Sequence, residues 1–143
     1  MATRARIALQ LTEDSFLSVY HHWDGYPQWL GVTLNKKFNT REKVAELIDG
    51  GDISCCDSDS DWDRNKVENH VLYYNARGEN TEPQLHLNID DYFDVGEEYA
   101  YVYTLDHTWE CYAINHTYDD CKVIGTNVVS QEIPAEFPKE LTV

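Results

Sequence analysis

The chain has 143 residues, of which 42% are hydrophobic and 13% aromatic, which predicts one globular domain over residues 1–143 and excludes a disordered chain. It carries 26 Asp and Glu residues against 11 Lys and Arg residues, a net charge of −15. This charge disfavours direct binding to nucleic acid or to an anionic membrane and favours a partner with a basic surface. No segment approaches the roughly 20 apolar residues of a membrane span, and residues 1–11 do not resemble a signal peptide. We therefore expect a cytoplasmic protein.

The first two predicted elements are strands that form a hairpin. In residues 6–11 the apolar side chains of Ile7, Leu9 and Leu11 alternate with Ala8 and Gln10, which is the period of a strand. Residues 16–23 show the same period after the polar turn 12–15. Two alternating segments joined by a short polar turn predict a hairpin.

Two helices are predicted next. The residues DGYP at 24–27 end the second strand, because Asp-Gly favours a turn and a proline has no amide proton to give to a sheet. A short helix is predicted over 28–38. A clearer helix is predicted over 41–49, with Thr40 as its cap and glycines at 50 and 51 to end it. Its apolar stripe consists of Val44, Leu47 and Ile48.

The rest of the chain is predicted to be mainly strands. Residues 52–69 form a charged loop in this interpretation, and strands follow at 70–75, 84–89, 99–105, 109–114 and 122–129. The third and fourth of these make a second hairpin, with Tyr99, Tyr101 and Tyr103 on one face. The predicted fold class is α+β, a mainly antiparallel sheet of two hairpins plus further strands, with one or two short helices packed on it.

Several of these segments share residues with a known family. The matching residues are Thr3, Arg4, Ile7, Val19, Tyr20, His22 to Pro27, Gly31, Lys43, Val44, Leu47, Ile48 and Gly51 to Ser54, followed by Arg77, Gly78 and Glu79. The pattern resembles that of small uncharacterised proteins encoded mainly by bacteriophages, and the hairpin 101–112 is similar to their closing strands. The resemblance implies phage origin and a small accessory protein of the host cytoplasm, and it implies no mechanism.

The segment YHHWDGYPQWLG at 20–31 allows two interpretations. In the structural one, Trp23 fills the core, Asp24 caps the next segment, Gly25 takes a positive φ and Pro27 begins a helix. In the functional one, aromatic side chains line a ligand pocket that stacks the base of a nucleotide. The candidate pocket residues are His22, Trp23, Asp24, Tyr26, Arg77 and Glu79. An internal ion pair between Arg77 and Asp24 is a simpler interpretation of Arg77 than a contact with a ligand.

No metal, cofactor or catalytic residue is predicted. Residues 57–68 place acidic and amide side chains at five positions of a calcium loop, but Trp62 stands where that loop needs glycine, so we expect a solvated acidic loop. The cysteines at 55, 56, 111 and 121 lack zinc-ligand spacing and are expected to be reduced thiols. A metal-dependent enzyme stays an alternative, with His21, His22, Asp24 and His70 as its candidate residues.

The charge and the resemblance together predict a non-enzymatic acidic accessory protein of a phage, one that binds and inhibits a host protein. The partner would be a nucleic-acid enzyme or a defence component, because exposed carboxylates can take the place of phosphates in a basic cleft, a form of DNA mimicry that serves counter-defence. The first candidate group of partner-binding residues is Asp57, Asp59, Asp61 and Asp63. The second group is Asp90, Asp91, Asp94, Glu97 and Glu98.

Overall fold

A computed structural model describes residues 3–55 and 71–136. In that part of the chain eight strands form one sheet, in the order β4–β3–β2–β1–β6–β7–β8, with β5 pairing beside β2. The strands are β1 (Ala5–Gln10), β2 (Phe16–His21), β3 (Ile53–Cys55), β4 (Leu72–Tyr73), β5 (Gln84–His86), β6 (Tyr99–Tyr103), β7 (Trp109–Asp119) and β8 (Lys122–Gln131). The helices are α1 (Val32–Lys37), α2 (Arg41–Asp49) and α3 (Ile89–Asp94). This architecture confirms the predicted α+β class.

Both predicted hairpins are present. Strands β1 and β2 pair antiparallel with Ile7 opposite Val19, and β6 and β7 pair antiparallel with Tyr101 opposite Cys111. The two hairpins join through β1 and β6, which run parallel, and β2 and β3 are a second parallel pair. The sheet is therefore mainly antiparallel with two parallel contacts.

The helix α2 has the predicted bounds because its end signals are local. The hydroxyl of Thr40 accepts from the backbone N–H of Lys43 over 3.2 Å, which satisfies one of the free amide groups of the first turn. Gly51 follows the helix with a φ of +89°, a conformation that glycine adopts without steric cost. The apolar stripe of the helix is buried against the sheet.

The two faces of the sheet bury separate clusters of side chains. The α2 face packs Ile7, Val19 and Tyr101 against α1 and α2. The α3 face packs Ala8, Phe16, Ala100 and Val102 against Tyr92 of α3. Because successive residues of a strand point to opposite faces, each central strand contributes to both clusters.

Four predicted segments differ from the structure. Residues 53–55, predicted as loop, form β3, while the strands predicted at 70–75 and 84–89 shorten to β4 and β5. The second of these ends early because Asn88 starts α3, its side-chain oxygen accepting from the backbone N–H of Asp91 over 2.7 Å. The helix predicted over 28–38 consists of a π-helical turn at Pro27–Gly31 followed by α1.

Candidate functional site

The loop after β2 is anchored by its backbone, and Trp23 is not in the core. The Trp23 side chain is 46% exposed, so the core interpretation of this residue is wrong. The N–H of Gly25 donates to the carbonyl of Thr3 over 2.8 Å, and the hydroxyl of Tyr101 donates to the carbonyl of Gly25 over 2.7 Å. These two bonds hold the loop against β6 and against the residues that lead into β1, and they leave the indole ring at the surface.

The predicted backbone roles of the same loop are also corrected. The positive φ, 55°, belongs to Asp24, while Gly25 is needed because a Cβ there would come within 2.8 Å of the Thr3 carbonyl oxygen. Asp24 does not act as the cap, because Tyr26 occupies the N-cap position of the following turn without a side-chain hydrogen bond. Pro27 does begin that turn, as predicted.

The structure brings some of the predicted pocket residues together. The His22 and Trp23 rings meet edge to face with centroids 4.7 Å apart, and the Nδ1 atom of His22 lies 2.6 Å from the hydroxyl of Tyr20. Burial and the neighbouring Asp24 carboxylate raise the pKa of the half-buried Tyr26.

The structure says less about the remaining predicted pocket residues, Glu79 and Arg77. Glu79 is exposed, and the side chain of Arg77 lies outside the described part of the molecule. The nucleotide pocket therefore stays a prediction.

The structure does not bring together the histidines predicted as metal ligands of an enzyme. His21 is buried in the sheet, and burial lowers its pKa to about 3. His70 lies outside the described residues. Within residues 3–55 and 71–136, no group of three His, Cys, Asp or Glu side chains has the arrangement that a metal ion needs.

A four-residue hydrogen-bond chain crosses the α3 face. The Ser18 hydroxyl lies 2.7 Å from Nε2 of His86, whose Nδ1 lies 3.0 Å from a carboxylate oxygen of Asp91. The Nε–H of Arg6 donates to the Ser18 oxygen over 3.1 Å. A carboxylate only accepts, so Nδ1 carries the proton and Nε2 accepts from the serine. Burial lowers the pKa of His86, which matches this neutral form.

The order serine, histidine, aspartate is the one that serine hydrolases use, yet here the nucleophile is inaccessible. Ser18 and His86 are both fully buried, so no substrate carbonyl can approach the serine oxygen in this conformation. The hydrogen-bond chain instead connects β5 and α3 to the centre of the sheet. Sequence reasoning missed it because its members lie on β1, β2, β5 and α3, and no local spacing relates them.

Ser18→Ala should lower the free energy of unfolding by about 1 to 3 kcal/mol, because it leaves Nε2 of His86 buried without its donor. Ser130→Ala is the matched control, since that serine is exposed on β8, and it should change stability by about half a kcal/mol or less. Urea unfolding of both variants measures the difference. Equal urea midpoints for the two variants would show that the hydrogen-bond chain contributes nothing to the free energy of unfolding.

The second acidic group lies on and beside α3. Asp90 and Asp94 are exposed one helical turn apart, and Asp91 is half exposed while it accepts from His86. A carboxylate oxygen of the exposed Glu98 accepts from the backbone N–H of Arg4 over 3.0 Å, and Glu97 is half-buried. The first acidic group, Asp57, Asp59, Asp61 and Asp63, lies outside the described residues.

Charge is unevenly distributed along the chain. From Gly78 to Cys121 the chain contains no Lys or Arg, and this stretch supplies β5, α3, β6 and β7. The opposite layer carries four cations on or next to its two helices, namely Lys36, Lys37, Arg41 and Lys43, together with three acidic side chains on α2, namely Glu42, Glu46 and Asp49. The charged side chains of α3 and its flanking strands β5, β6 and β7 are all acidic, and Arg6 of β1 reaches the same face through Ser18.

Large apolar side chains are exposed beside these carboxylates. Leu87, just before α3, is 71% exposed, and Val95, just after it, is 36% exposed. We call Leu87, Asp90, Asp94 and Val95 the α3 surface. It combines negative charge with apolar contact area.

Comparisons with protein-family models, with curated proteins and with solved structures found no match to this chain. Across residues 3–55 and 71–136, the helices are too short or too polar to cross a membrane.

Proposed function

We propose that the protein is a non-enzymatic acidic accessory protein that binds and inhibits another protein by occupying its basic surface. The observation that carries this proposal is the segment from Gly78 to Cys121, which contains no Lys or Arg, supplies α3 and presents the exposed carboxylates of Asp90 and Asp94 on that helix. An acidic surface of this kind attracts a positively charged partner and orients it before contact.

The exposed apolar side chains of the α3 surface support a binding role over simple solubility. Acidic residues alone would keep the protein soluble, and solubility does not require an exposed Leu87 or Val95. An apolar side chain that becomes buried on binding supplies affinity, whereas exposed charges mainly supply encounter rate and selectivity. The α3 surface contains both kinds of group.

The proposed partner is a host protein whose cleft binds nucleic acid, either a nucleic-acid enzyme or a defence component. Asp90 and Asp94 are adjacent on one side of α3, because residues four apart on a helix lie on the same face. Carboxylates presented in this way can occupy positions that a basic cleft keeps for phosphates. The resemblance to phage-encoded proteins favours a partner in the host cell.

The double variant Asp90→Asn, Asp94→Asn tests the proposal. The control is Glu42→Gln, Glu46→Gln, which removes two exposed carboxylates with the same four-residue spacing from α2, on the opposite layer. Partners are captured from host lysate at low and high salt, and each purified partner is measured by surface plasmon resonance. We expect the α3 variant to associate roughly tenfold more slowly at low salt and with a weaker salt dependence, because these charges steer the encounter.

The control variant should associate at nearly the wild-type rate. If both variants slow association equally, the net charge of the protein explains the slower rate, and this result would contradict an interface at α3. A third variant, with Asp57, Asp59, Asp61 and Asp63 changed to Asn, measures the first acidic group in the same assay. If none of the three variants slows association, acidic mimicry is wrong for this protein.

The exposed indole of Trp23 favours one second candidate, the binding of a nucleotide. An aromatic ring held edge-on by His22 and open to solvent is a surface on which a base can stack. Calorimetric titration with nucleoside mono-, di- and triphosphates tests this candidate. Binding that Trp23→Ala abolishes, without loss of the fold, would support it, and the absence of heat at millimolar nucleotide would end it.

A further inference from the structure

In the sheet formed by the described residues, β8 is a terminal strand and its outer edge is long. It pairs with β7 on one side over residues 122–131, and in the described part of the chain no strand pairs with its other side. Among residues 3–55 and 71–136, the backbone N–H and C=O groups that point away from β7 are therefore open to another strand. An edge of ten residues is long by comparison with the three residues of β5.

The side chains of β8 do not protect this edge. Residues 123–131 are nine consecutive uncharged positions in a chain in which 26% of residues are charged. Val123, Ile124 and Val129 are 50%, 65% and 45% exposed. Natural edge strands avoid pairing by a central lysine, a proline, an inward charge or a β-bulge. β8 has a register shift at Ile124, because Thr117 pairs with Gly125 and Tyr118 with Val123. None of the four devices stands between Gly125 and Gln131.

The hairpin of β7 and β8 extends past β6, and His116 holds it against the loop after α3. β6 pairs with β7 only as far as Ala113, so the outer half of β7 is paired with β8 alone. The side chain of His116 lies 2.9 Å from the carbonyl of Gly96 and 3.0 Å from the hydroxyl of Thr126. These contacts fix the hairpin to the loop after α3, so the edge is presented in a defined position.

We propose that the free edge of β8 pairs antiparallel with the β8 edge of a second copy of this chain, joining two sheets about a two-fold axis. An antiparallel pair of identical strands is self-complementary, since each contact is made twice by symmetry. Two chains of charge −15 repel each other, and residues 123–131 of β8 carry no charge of their own. A basic partner, in contrast, is attracted to the carboxylates around α3.

The dimer goes beyond the proposed function and uses a different kind of contact. Pairing at β8 uses the backbone edge of the sheet, while α3 packs on one face, against side chains of β1, β2, β6, β7 and β8. The two surfaces adjoin, because Asp94 and residues 123–126 line one pocket. The two interactions also differ in their response to salt. Salt weakens the attraction of the α3 surface for a basic partner, whereas it screens the repulsion between two acidic copies and strengthens the dimer.

Sedimentation velocity of the full chain, at several concentrations and at low and high salt, tests the dimer. We expect the mass to rise from 16.6 kDa towards twice that value with concentration, and the dissociation constant to fall as salt rises. Hydrogen exchange at the same concentrations should show added protection in residues 122–131. A chain that stays at 16.6 kDa up to hundreds of micromolar at both salts would overturn the proposal.

The variant Ile124→Lys, Val129→Lys places two charges on the edge and should abolish the dimer. Its control is Leu11→Lys, Leu105→Lys, which adds the same charge at two exposed leucines outside β8 and outside the α3 surface and should leave the dimer intact. Far-UV circular dichroism confirms that both variants are folded. If both variants dimerise equally, or if hydrogen exchange protects a segment other than β8, the edge is not the interface.

Discussion

Leu47→Asp should prevent folding. Leu47 is 2% exposed and lies on the buried stripe of α2, where a carboxylate would have neither water nor a partner. Loss of the apolar contact and burial of an unpaired charge together should cost about 5 kcal/mol or more, which is comparable to the whole stability of a small domain.

Ala45→Asp is the matched control, because Ala45 is exposed two residues earlier on the same helix. It should stay folded and lose about half a kcal/mol or less. Circular dichroism and the yield of soluble protein measure both variants. A cooperative melting transition for Leu47→Asp near that of the wild type would mean that α2 does not pack through this face.

The wild-type protein should lose stability relative to His21→Gln as the pH falls. Burial, and to a smaller extent the neighbouring His22, lower the pKa of His21 from 6.5 to about 3 in the folded state. The folded protein therefore holds the neutral imidazole, while the unfolded chain gains a proton near pH 6.5. The contribution of His21 is fully present above that pH and is lost progressively towards pH 3.

Between pH 7 and pH 5 the relative loss should be about 2 kcal/mol, since one unit of pKa difference corresponds to about 1.4 kcal/mol. Urea unfolding of both proteins at each pH measures it. The comparison is made with the variant because acidification also relieves repulsion among the many carboxylates, and that effect is common to both proteins. Parallel pH profiles would show that His21 is not held neutral by the fold.

Protonation of His86 should lower the free energy of unfolding further as the pH falls. Burial lowers its pKa, and the hydrogen bond to Asp91 opposes the shift without cancelling it. Because His86 joins Ser18 to α3, its protonation would act on the helix that carries Asp90 and Asp94. The stability of the α3 surface is thus linked to pH through one buried imidazole.

The sequence by itself determined the elements whose signals are local. The bounds of α2 follow from Thr40, the apolar stripe and the two glycines, all within a dozen residues. The two hairpins follow from alternation on each side of a short turn, and that alternation also places Tyr101 and Tyr103 on one face. Such signals act between neighbours in the chain, where a period of 2 or 3.6 residues reports which face is buried.

Only the tertiary structure decided how these elements meet. The parallel pairing of β1 with β6 joins residues more than 90 positions apart, and the contact of Ser18 with His86 joins residues 68 positions apart. The exposure of Trp23 depends on Thr3 and Tyr101, which hold the backbone of Gly25 and leave the indole outside. No periodicity or spacing encodes these contacts, because each depends on which distant segment the sheet places alongside. For the same reason, the sequence predicts the amount of acidic charge, and the fold decides which carboxylates are exposed together, such as Asp90 and Asp94 on α3.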